Sequence, residues 1–261
     1  MAKTLKRIDA GSIQISALYN RCSRHDTPKQ RQAKRQASTA AQRRMNQIYS
    51  YQQLELRLAK NFPIAGSGLI VTLTHDDAHM PRSRREAQIR FKYFLKKLRA
   101  ARAAAGLPEP VVFWAPEILT SDSGRWHQHI VMDNTGKDME IIRACWIYGT
   151  DIDAKKLRVD AEKNHESLAR YMTKELRECQ EYDARPGLHG WSCTRNAKKP
   201  EIETVTVPDD YELTPPDGST VLIDERRSTE WASYHVLKYR FSGSGFSPVP
   251  RAKRRRRRRA P

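Results

Sequence analysis

An apolar stretch that carries two histidines, Trp126-His-Gln-His-Ile-Val131, constrains the fold of this chain more than any other segment. Side chains alternate across a β-strand, so residues i and i+2 face the same way. His127 and His129 therefore project from one face, about 7 Å apart along the strand. Two imidazoles in this position converge on one divalent ion, although a strand with two surface or hydrogen-bonded histidines carries the same pattern. The surrounding sequence has to decide between these two interpretations.

Hydrophobic periodicity predicts helices and strands on both sides of this stretch. Pro63 cannot continue a helix, and the spacing Ser83-Arg-Arg-Glu86 fits a capping box at a helix start. The predicted elements before the histidines are a basic helix ending near Asn61, a strand over 69–74, an amphipathic helix from Ser83 to about Ala105 and a strand over 111–115. Those after it are a short helix over 139–146, an edge strand over 156–159, a helix capped by Asn164 with Leu168, Met172, Leu176 and Cys179 on its apolar side, and short strands between Ile202 and Phe241 around the turn 215–218.

This order of elements predicts an α+β fold in which helices pack on a central antiparallel sheet. A basic helix precedes the sheet, and an arginine-rich C-terminal tail follows it. The tail cannot build a core and is expected to be disordered. No glycine-rich phosphate loop and no Walker-type motif occur, so the sequence contains no ATP-driven helicase of that type.

The balance of charge narrows the class of partner. The 261 residues carry 48 Lys and Arg against 30 Asp and Glu, a formal net charge of +18 at pH 7. Eight of the positive charges lie in residues 251–259, and subtracting them from +18 leaves +10 on the rest. A body this basic is the expected footprint of a polyanion binder, although a membrane surface or an acidic protein also attracts it.

The sequence gives no sign of membrane insertion or secretion. No apolar run approaches the roughly 20 residues of a membrane span, and Met1–Ala10 lacks the apolar region of a secretory signal. The four cysteines have no C-x-x-C spacing, which favours reduced thiols in a cytosolic protein. A metal pair of Cys179 and Cys193 is the alternative. We expect a cytoplasmic protein in a bacterial host, or a nuclear one if the host is eukaryotic.

Two further elements suggest chemistry. Glu117 closes an apolar strand ten residues before His127, and the turn over 121–124 lets that strand return antiparallel beside it. Two imidazoles and one carboxylate leave open positions on a divalent metal, as a catalytic site requires. Tyr171 and Lys174 share a face of the later helix. Only roughly one tyrosine in a thousand is ionised at neutral pH, so a nucleophilic phenolate needs such a cation nearby.

The order of these motifs resembles that of the HUH endonucleases that initiate rolling-circle replication, in their single-tyrosine form. The resemblance is closest to replication-associated proteins of bacterial plasmids, phages and integrated elements, and it covers about residues 45–205. The residues that carry it are Asn61-Phe62, Leu73-Thr74, Glu117, the His-Gln-His strand, Ala169-Arg-Tyr171-Met-Thr-Lys174-Glu175 and Trp191-Ser-Cys-Thr-Arg195-Asn-Ala-Lys198-Lys199-Pro-Glu201. Gln128 departs from the bulky apolar residue that often separates the family's histidines, and we expect it on the opposite strand face.

What the resemblance implies is a nickase of single-stranded DNA. Glu117, His127 and His129 would hold Mn²⁺ or Mg²⁺. Tyr171 would attack the origin phosphate, which leaves a 5′-phosphotyrosyl enzyme and a free 3′-hydroxyl for synthesis. Lys174 would orient the phosphate or stabilise the phenolate. The partners would be origin DNA, a host helicase and a polymerase, with no membrane.

Segment boundaries follow from this resemblance and from composition. They are a basic N-terminal extension over 1–62, the HUH endonuclease domain over 63–207, a β-rich segment over 208–241, and a flexible linker with the arginine-rich tail over 242–261.

The DNA contacts are predicted from clusters of basic and aromatic residues. Trp191, Arg195, Lys198 and Lys199 combine a stacking ring with phosphate-binding cations, which suits single strands. The basic residues of the helix over 90–99 are a second set, unless they form a solvated face. The arginine tail would add non-specific phosphate affinity, address a nuclear import receptor, or be a segment added for expression.

Three alternatives stay open. A single-tyrosine transposase and a plasmid-mobilising relaxase share the chemistry and differ in their DNA substrate. The third is a non-enzymatic basic nucleic-acid-binding protein, in which the two histidines and Tyr171 are structural. In that case binding would depend neither on Tyr171 nor on metal.

Overall fold

The computed structural model of the chain describes residues 3–20, 40–117, 124–160, 164–174, 190–228, 233–241, 243 and 245–251. The chain divides into two compact units. We call residues 38–198 the site unit, and residues 1–37 with 199–261 the terminal unit. Within the described ranges the chain has four helices and two antiparallel five-stranded sheets, which confirms the predicted α+β class.

The elements of the site unit are α1 (Ala40–Asn61), β3 (Gly68–Thr74), α2 (Arg84–Ala104), β4 (Val112–Glu117), β5 (His127–Asp133), α3 (Asp138–Cys145), β6 (Ile152–Lys156), α4 (Glu166–Met172) and β7 (Ser192–Cys193). The terminal unit contains β1 (Lys3–Asp9), β2 (Ile13–Tyr19), β8 (Glu201–Val207), β9 (Thr220–Ser228) and β10 (Ser233–Arg240). Among the described residues, none of the helices combines the length and apolar character that a bilayer crossing requires.

The sheet of the site unit has the strand order β6-β3-β5-β4-β7, with β5 at its centre. Its two faces carry separate hydrophobic cores. Helices α2 and α3 cover one face, where Phe91, Phe94 and Ile142 pack against Ile130 and other strand residues. Helices α1 and α4 cover the other, where residues such as Leu54, Leu58, Ala169 and Met172 pack against Val131 and its neighbours. Each residue of β5 therefore belongs to one of two different layers.

Several predicted boundaries are confirmed. Helix α1 ends at Asn61 ahead of Pro63. The Ser83 hydroxyl accepts a hydrogen bond from the backbone N–H of Glu86, which caps α2, while the Glu86 carboxylate accepts one from the N–H of Arg82. Capping by side-chain oxygens satisfies N–H groups that have no partner inside the helix.

Two predicted details are wrong. The edge strand lies over Ile152–Lys156 rather than 156–159, because Ile152 packs on the α2 face and brings the strand beside β3 earlier in the chain. Asn164 does not cap α4 with its side chain: it has a positive φ of 53°, and the helix begins at Glu166 after His165. Asparagine tolerates this left-handed conformation, and here it forms a bridge with Asp160. The predicted positions Leu176 and Cys179 lie outside the described residues.

The terminal unit contains two strands, β1 and β2, where the sequence suggested only a polar extension. They pair with C-terminal strands in the order β8-β1-β2-β10-β9. The sequence does not show the apolar–polar alternation typical of a strand here, because the buried faces of these two strands include polar residues: Arg7, Asp9, Gln14 and Ser16. A buried polar face does not give the apolar alternation from which a strand is recognised.

The segment after β10 makes defined contacts where the sequence predicted a flexible linker. Asp9 accepts a hydrogen bond from the backbone N–H of Gly245 at 2.9 Å, and Gln14 donates one to the Gly245 carbonyl at 3.3 Å. Arg7 donates to the carbonyl of Ser247 and lies 4.9 Å from the centre of the Phe246 ring. The predicted arginine-rich tail over 252–261 lies outside the described residues.

Candidate active site

Three neighbouring strands position the predicted histidines on the face that α1 and α4 cover. In the β3–β5 register, Thr72 lies opposite His129 and Thr74 lies opposite His127. Glu117 at the end of β4 also lies opposite His127. The two imidazole rings are nearly parallel, with centroids 6.4 Å apart and planes 12° from each other. Gln128 is buried on the opposite face, as predicted from the alternation.

Threonine hydroxyls hold both rings by the same nitrogen. Thr72 Oγ1 lies 3.2 Å from His129 Nδ1, and Thr74 Oγ1 lies 3.1 Å from His127 Nδ1. A hydrogen bond to one ring nitrogen fixes the orientation in which the other meets a ligand. Burial, together with the neighbouring His129, lowers the pKa of His127, which favours the neutral ring that metal binding requires.

Glu117 joins this strand face to the helix that carries the predicted nucleophile. Its carboxylate accepts a hydrogen bond from His129 Nε2 and forms an ion pair with Lys174 Nζ. The side chain is only 5% exposed. Burial by itself raises the pKa of this carboxyl, but the bonds from His129 and Lys174 outweigh it and lower the value to about 2. The group is therefore a buried, fully ionised carboxylate at neutral pH.

Tyr171 lies at the mouth of this cluster, in the last turn of α4. Its hydroxyl is 3.5 Å from His129 Nε2, and the two rings meet edge to face with centroids 4.9 Å apart. Lys174 Nζ lies 4.8 Å from the centre of the tyrosine ring. The tyrosine is 45% exposed, so a solvent-borne substrate can reach it. The structure thus brings together five predicted site residues from β4, β5, the last turn of α4 and the residues just after it: Glu117, His127, His129, Tyr171 and Lys174.

Opposing influences act on the pKa of the Tyr171 phenol, although the sequence suggested only the lowering effect of Lys174. Burial raises the pKa of the phenol, Lys174 lowers it, and Glu117 raises it again. The net direction is upward. Lys174 therefore does not ionise the tyrosine while its charge is shared with Glu117, and the phenol is protonated in this arrangement.

The donor set fits a divalent ion by its chemistry, since two imidazoles and one carboxylate suit Mn²⁺ and related metals. Whether the donor atoms are placed to hold the ion is a separate question from their chemical type. Glu117 is engaged by His129 and Lys174. Within the part of the chain that the structure describes, no group of three or more His, Cys, Asp or Glu side chains is arranged to hold a metal ion. The predicted ligands lie together, but Glu117 bonds to His129 and to Lys174.

Trp191, predicted as a DNA contact, is partly buried and packs on the core of the α1 side. Its ring lies against Phe113, with centroids 6.4 Å apart, and beneath the Arg57 guanidinium at 5.7 Å. The indole N–H donates to the Ser50 carbonyl at 3.1 Å. The ring and the indole N–H therefore both take part in packing on the α1 side.

The basic loop after β7 is held at the other end of the sheet. Asn61 donates to the Lys198 carbonyl and accepts from the Lys198 N–H, at 2.9 Å each. The Thr194 N–H donates to the carbonyl of Val112, the first residue of β4. Glu117 ends that strand, roughly 16 Å away at 3.3 Å per residue. Arg195 and Lys198 are exposed but remote from the tyrosine, and Lys199 begins the terminal unit.

The second predicted set of DNA contacts lies on the opposite side of the sheet. Residues 90–99 belong to α2, whose apolar side packs on the face that His127 and His129 do not share. Arg90 is engaged by the His79 carbonyl and by Glu86. The structure therefore does not bring the cations of α2 to Tyr171.

The sequence did not reveal that Thr72 and Thr74 hold the imidazoles, and it gave no role to His75, Asp76 or Asp77. Threonine at alternate positions near the end of β3 was the available signal, because it puts two hydroxyls on one face. His75 is fully buried against Trp146, and burial, with the nearby Arg90 charge, lowers its pKa to about 4. Asp76 accepts from the His79 N–H, and Asp77 pairs with Arg125. These three residues build the turn after β3.

Comparison with protein-family models, with curated proteins and with solved structures finds no match for this chain. The geometry and chemistry of the residues themselves therefore carry the functional argument.

Proposed function

We propose that this chain is a metal-assisted nickase of single-stranded DNA that starts rolling-circle replication. The observation that carries the proposal is the 3.5 Å approach of the Tyr171 hydroxyl to His129 Nε2, in a cluster that also holds Glu117 and Lys174. These side chains come from three separate elements, and the HUH resemblance drawn from the sequence requires them to meet.

In the proposed reaction, Tyr171 Oη forms a bond to the phosphorus while the bond from phosphorus to the 3′-oxygen breaks. The products are a 5′-phosphotyrosyl enzyme and a DNA strand with a free 3′-hydroxyl. The phenol proton has direct access to water because the side chain is 45% exposed. Lys174, once released from Glu117, stabilises the phenolate or the phosphate oxygens.

Mn²⁺ or Mg²⁺ bound by His127, His129 and Glu117 would supply positive charge to the scissile phosphate. The two threonines hold the imidazoles for this role through their Nδ1 atoms. Glu117 is already ionised at neutral pH and can therefore exchange its lysine partner for a metal without losing a proton.

The test is a denaturing gel that detects protein covalently joined to DNA. The full chain is incubated with labelled single-stranded oligonucleotides that tile the replicon or genomic neighbourhood encoding it, with Mn²⁺ or with EDTA. We expect a Mn²⁺-dependent band that Tyr171→Phe abolishes. Tyr93→Phe, an exposed tyrosine on α2, is the matched control and should retain the band.

The variants also separate the alternatives. His129→Ala should remove the Mn²⁺-stimulated activity, and unchanged nicking at limiting Mn²⁺ would contradict its role as a ligand. Binding of the pool in a native assay without any covalent band would favour the non-enzymatic nucleic-acid-binding protein. A transposase or relaxase would give the same band on a different DNA substrate, so the sequence of the cleaved oligonucleotide distinguishes them.

A further inference from the structure

The predicted DNA-binding cations lie away from Tyr171, yet one lysine that the sequence did not single out shares the sheet face of the site histidines. It belongs to β6, one of the two edge strands of the site-unit sheet in the described residues. Its register with β3 puts Asp153 opposite Thr72 and Lys155 opposite Ile70. Thr72 in turn lies opposite His129. Because side chains alternate, Asp153 and Lys155 share the sheet face of the histidines.

Charge and exposure support a role for this pair. Lys155 and Asp153 form an ion pair of 2.9 Å, with side chains 74% and 57% exposed. Such an exposed pair contributes little to stability, so a phosphate can replace the carboxylate at small cost. Both charges act on Tyr171: Lys155 lowers the pKa of its phenol and Asp153 raises it. Two strand spacings separate β6 from β5, which is roughly 10 Å.

We propose that Lys155 binds a backbone phosphate of single-stranded DNA next to the scissile phosphate, and that Asp153 weakens this contact by competing for the ammonium. The DNA strand would then enter along the β6 edge of the sheet. The inference rests on the proposed function, since it takes Tyr171 as the point that the strand reaches. It replaces α2 and the loop over 195–199 as the contacts nearest to the chemistry.

Lys156 gives a matched control within the same strand. It is exposed, carries the same charge and lies opposite Leu69, on the sheet face that α2 covers. Adjacent residues of one strand thus present an ammonium to opposite faces. If DNA is bound on the face of Tyr171, replacing Lys155 should weaken binding more than replacing Lys156. If DNA is only attracted to positive charge in general, the two replacements should have equal effects.

The experiment measures binding of a fluorescein-labelled 12-nucleotide oligothymidylate by anisotropy, in EDTA, to the full-length chain. We expect Lys155→Gln to raise the Kd about fivefold and to flatten the dependence of log K on log salt by about 0.7, the value for one phosphate contact on a single strand. Lys156→Gln should stay within twofold of the wild type. Asp153→Asn should lower the Kd two- to threefold.

A second readout locates the contact directly. Lysines are labelled with an amine-reactive reagent with and without the oligothymidylate, and the modified peptides are quantified by mass spectrometry. Lys155 should be protected at least threefold more than Lys156. Equal losses of affinity in the two glutamine variants, or equal protection of the two lysines, would overturn the inference. Binding needs no cleavage, so absence of the covalent band would count against the proposed function alone.

Discussion

Two charge clusters lie at opposite ends of strand β5, and they differ in how much of the side chains around them is exposed to solvent. At the Asp133 end, Arg102 is fully buried and binds Asp138 through Nε at 2.8 Å and Asp133 through Nη1 at 2.6 Å. Asp133 also accepts from the Val111 N–H, and Asp138 accepts from the N–H and hydroxyl of Thr135. The side chains of Arg102 and Asp138 are both fully buried, so we call this the closed cluster.

At the other end, Glu117, His129, Lys174 and Tyr171 form the open cluster. The same kinds of group meet there, a carboxylate with two nitrogen donors. The difference is that a tyrosine with 45% of its surface exposed forms one side of it, whereas the cation of the closed cluster is fully buried. An ion network around a fully buried cation holds its elements in place, whereas one that borders solvent can exchange its partners for a substrate or a metal. We therefore expect one end of the strand to serve stability, and we propose that the other serves chemistry.

The largest expected effect on stability comes from breaking the closed cluster. Arg102→Met leaves the buried Asp138 and the partly buried Asp133 without their cation and should lower the free energy of unfolding by about 3–5 kcal/mol. Arg99 lies on the same helix as Arg102 and forms an exposed ion pair with Glu109. Arg99→Met should therefore lower the free energy of unfolding by less than about 1 kcal/mol. Urea denaturation measures both. Equal losses in the two variants would show that burial does not distinguish these arginines.

A smaller, pH-dependent effect is expected at the open cluster. The pKa of Glu117, about 2, lies below the ordinary 4.5, so its stabilisation is complete above pH 4.5 and is lost as the pH falls towards 2. One pKa unit corresponds to about 1.4 kcal/mol, so the loss is at most about 3 kcal/mol. In EDTA, the stability advantage of the wild type over Glu117→Gln should shrink between pH 6 and pH 3. A constant difference would mean that the carboxylate charge contributes nothing to the cluster.

The smallest expected effect tests whether the open cluster exchanges partners. Lys174→Met removes the ammonium that competes for Glu117, so Mn²⁺ should bind about tenfold more tightly without DNA, equivalent to about 1.4 kcal/mol. Isothermal titration calorimetry gives the affinity, with Lys96→Met on α2 as the control. Unchanged or weaker Mn²⁺ binding in Lys174→Met would contradict the idea that lysine and metal compete for one carboxylate.

The open cluster was predictable from the sequence because its signals are local. Two histidines at i and i+2 require one strand face, and Tyr171 with Lys174 at i and i+3 requires one helix face. The threonines that hold the imidazoles, and the placement of Lys155 beside the site, depend on strand register. Register follows from pairing over long sequence distances, which no local pattern contains.

The closed cluster and the strands of the terminal unit were harder to predict from the sequence, because they too depend on long-range packing. Arg102 received no role from the sequence, because only tertiary packing shows that it is fully buried. Strands β1 and β2 bury Arg7 and Gln14, which removes the apolar alternation that indicates a strand. Trp191 was predicted to contact DNA because an aromatic residue beside basic ones is typical of single-strand binders. Its contacts with Phe113 and Ser50 depend on tertiary packing, which that local pattern does not contain.

The most direct test of the central claim is to identify the residue that becomes joined to DNA. The covalent complex is digested with nuclease and trypsin, and tandem mass spectrometry locates the nucleotide adduct. The account predicts a single adduct on the phenol of Tyr171, formed with Mn²⁺ and through the 5′-phosphate. An adduct on another tyrosine, or cleaved DNA with no protein adduct, would contradict the assignment of the open cluster as the active site.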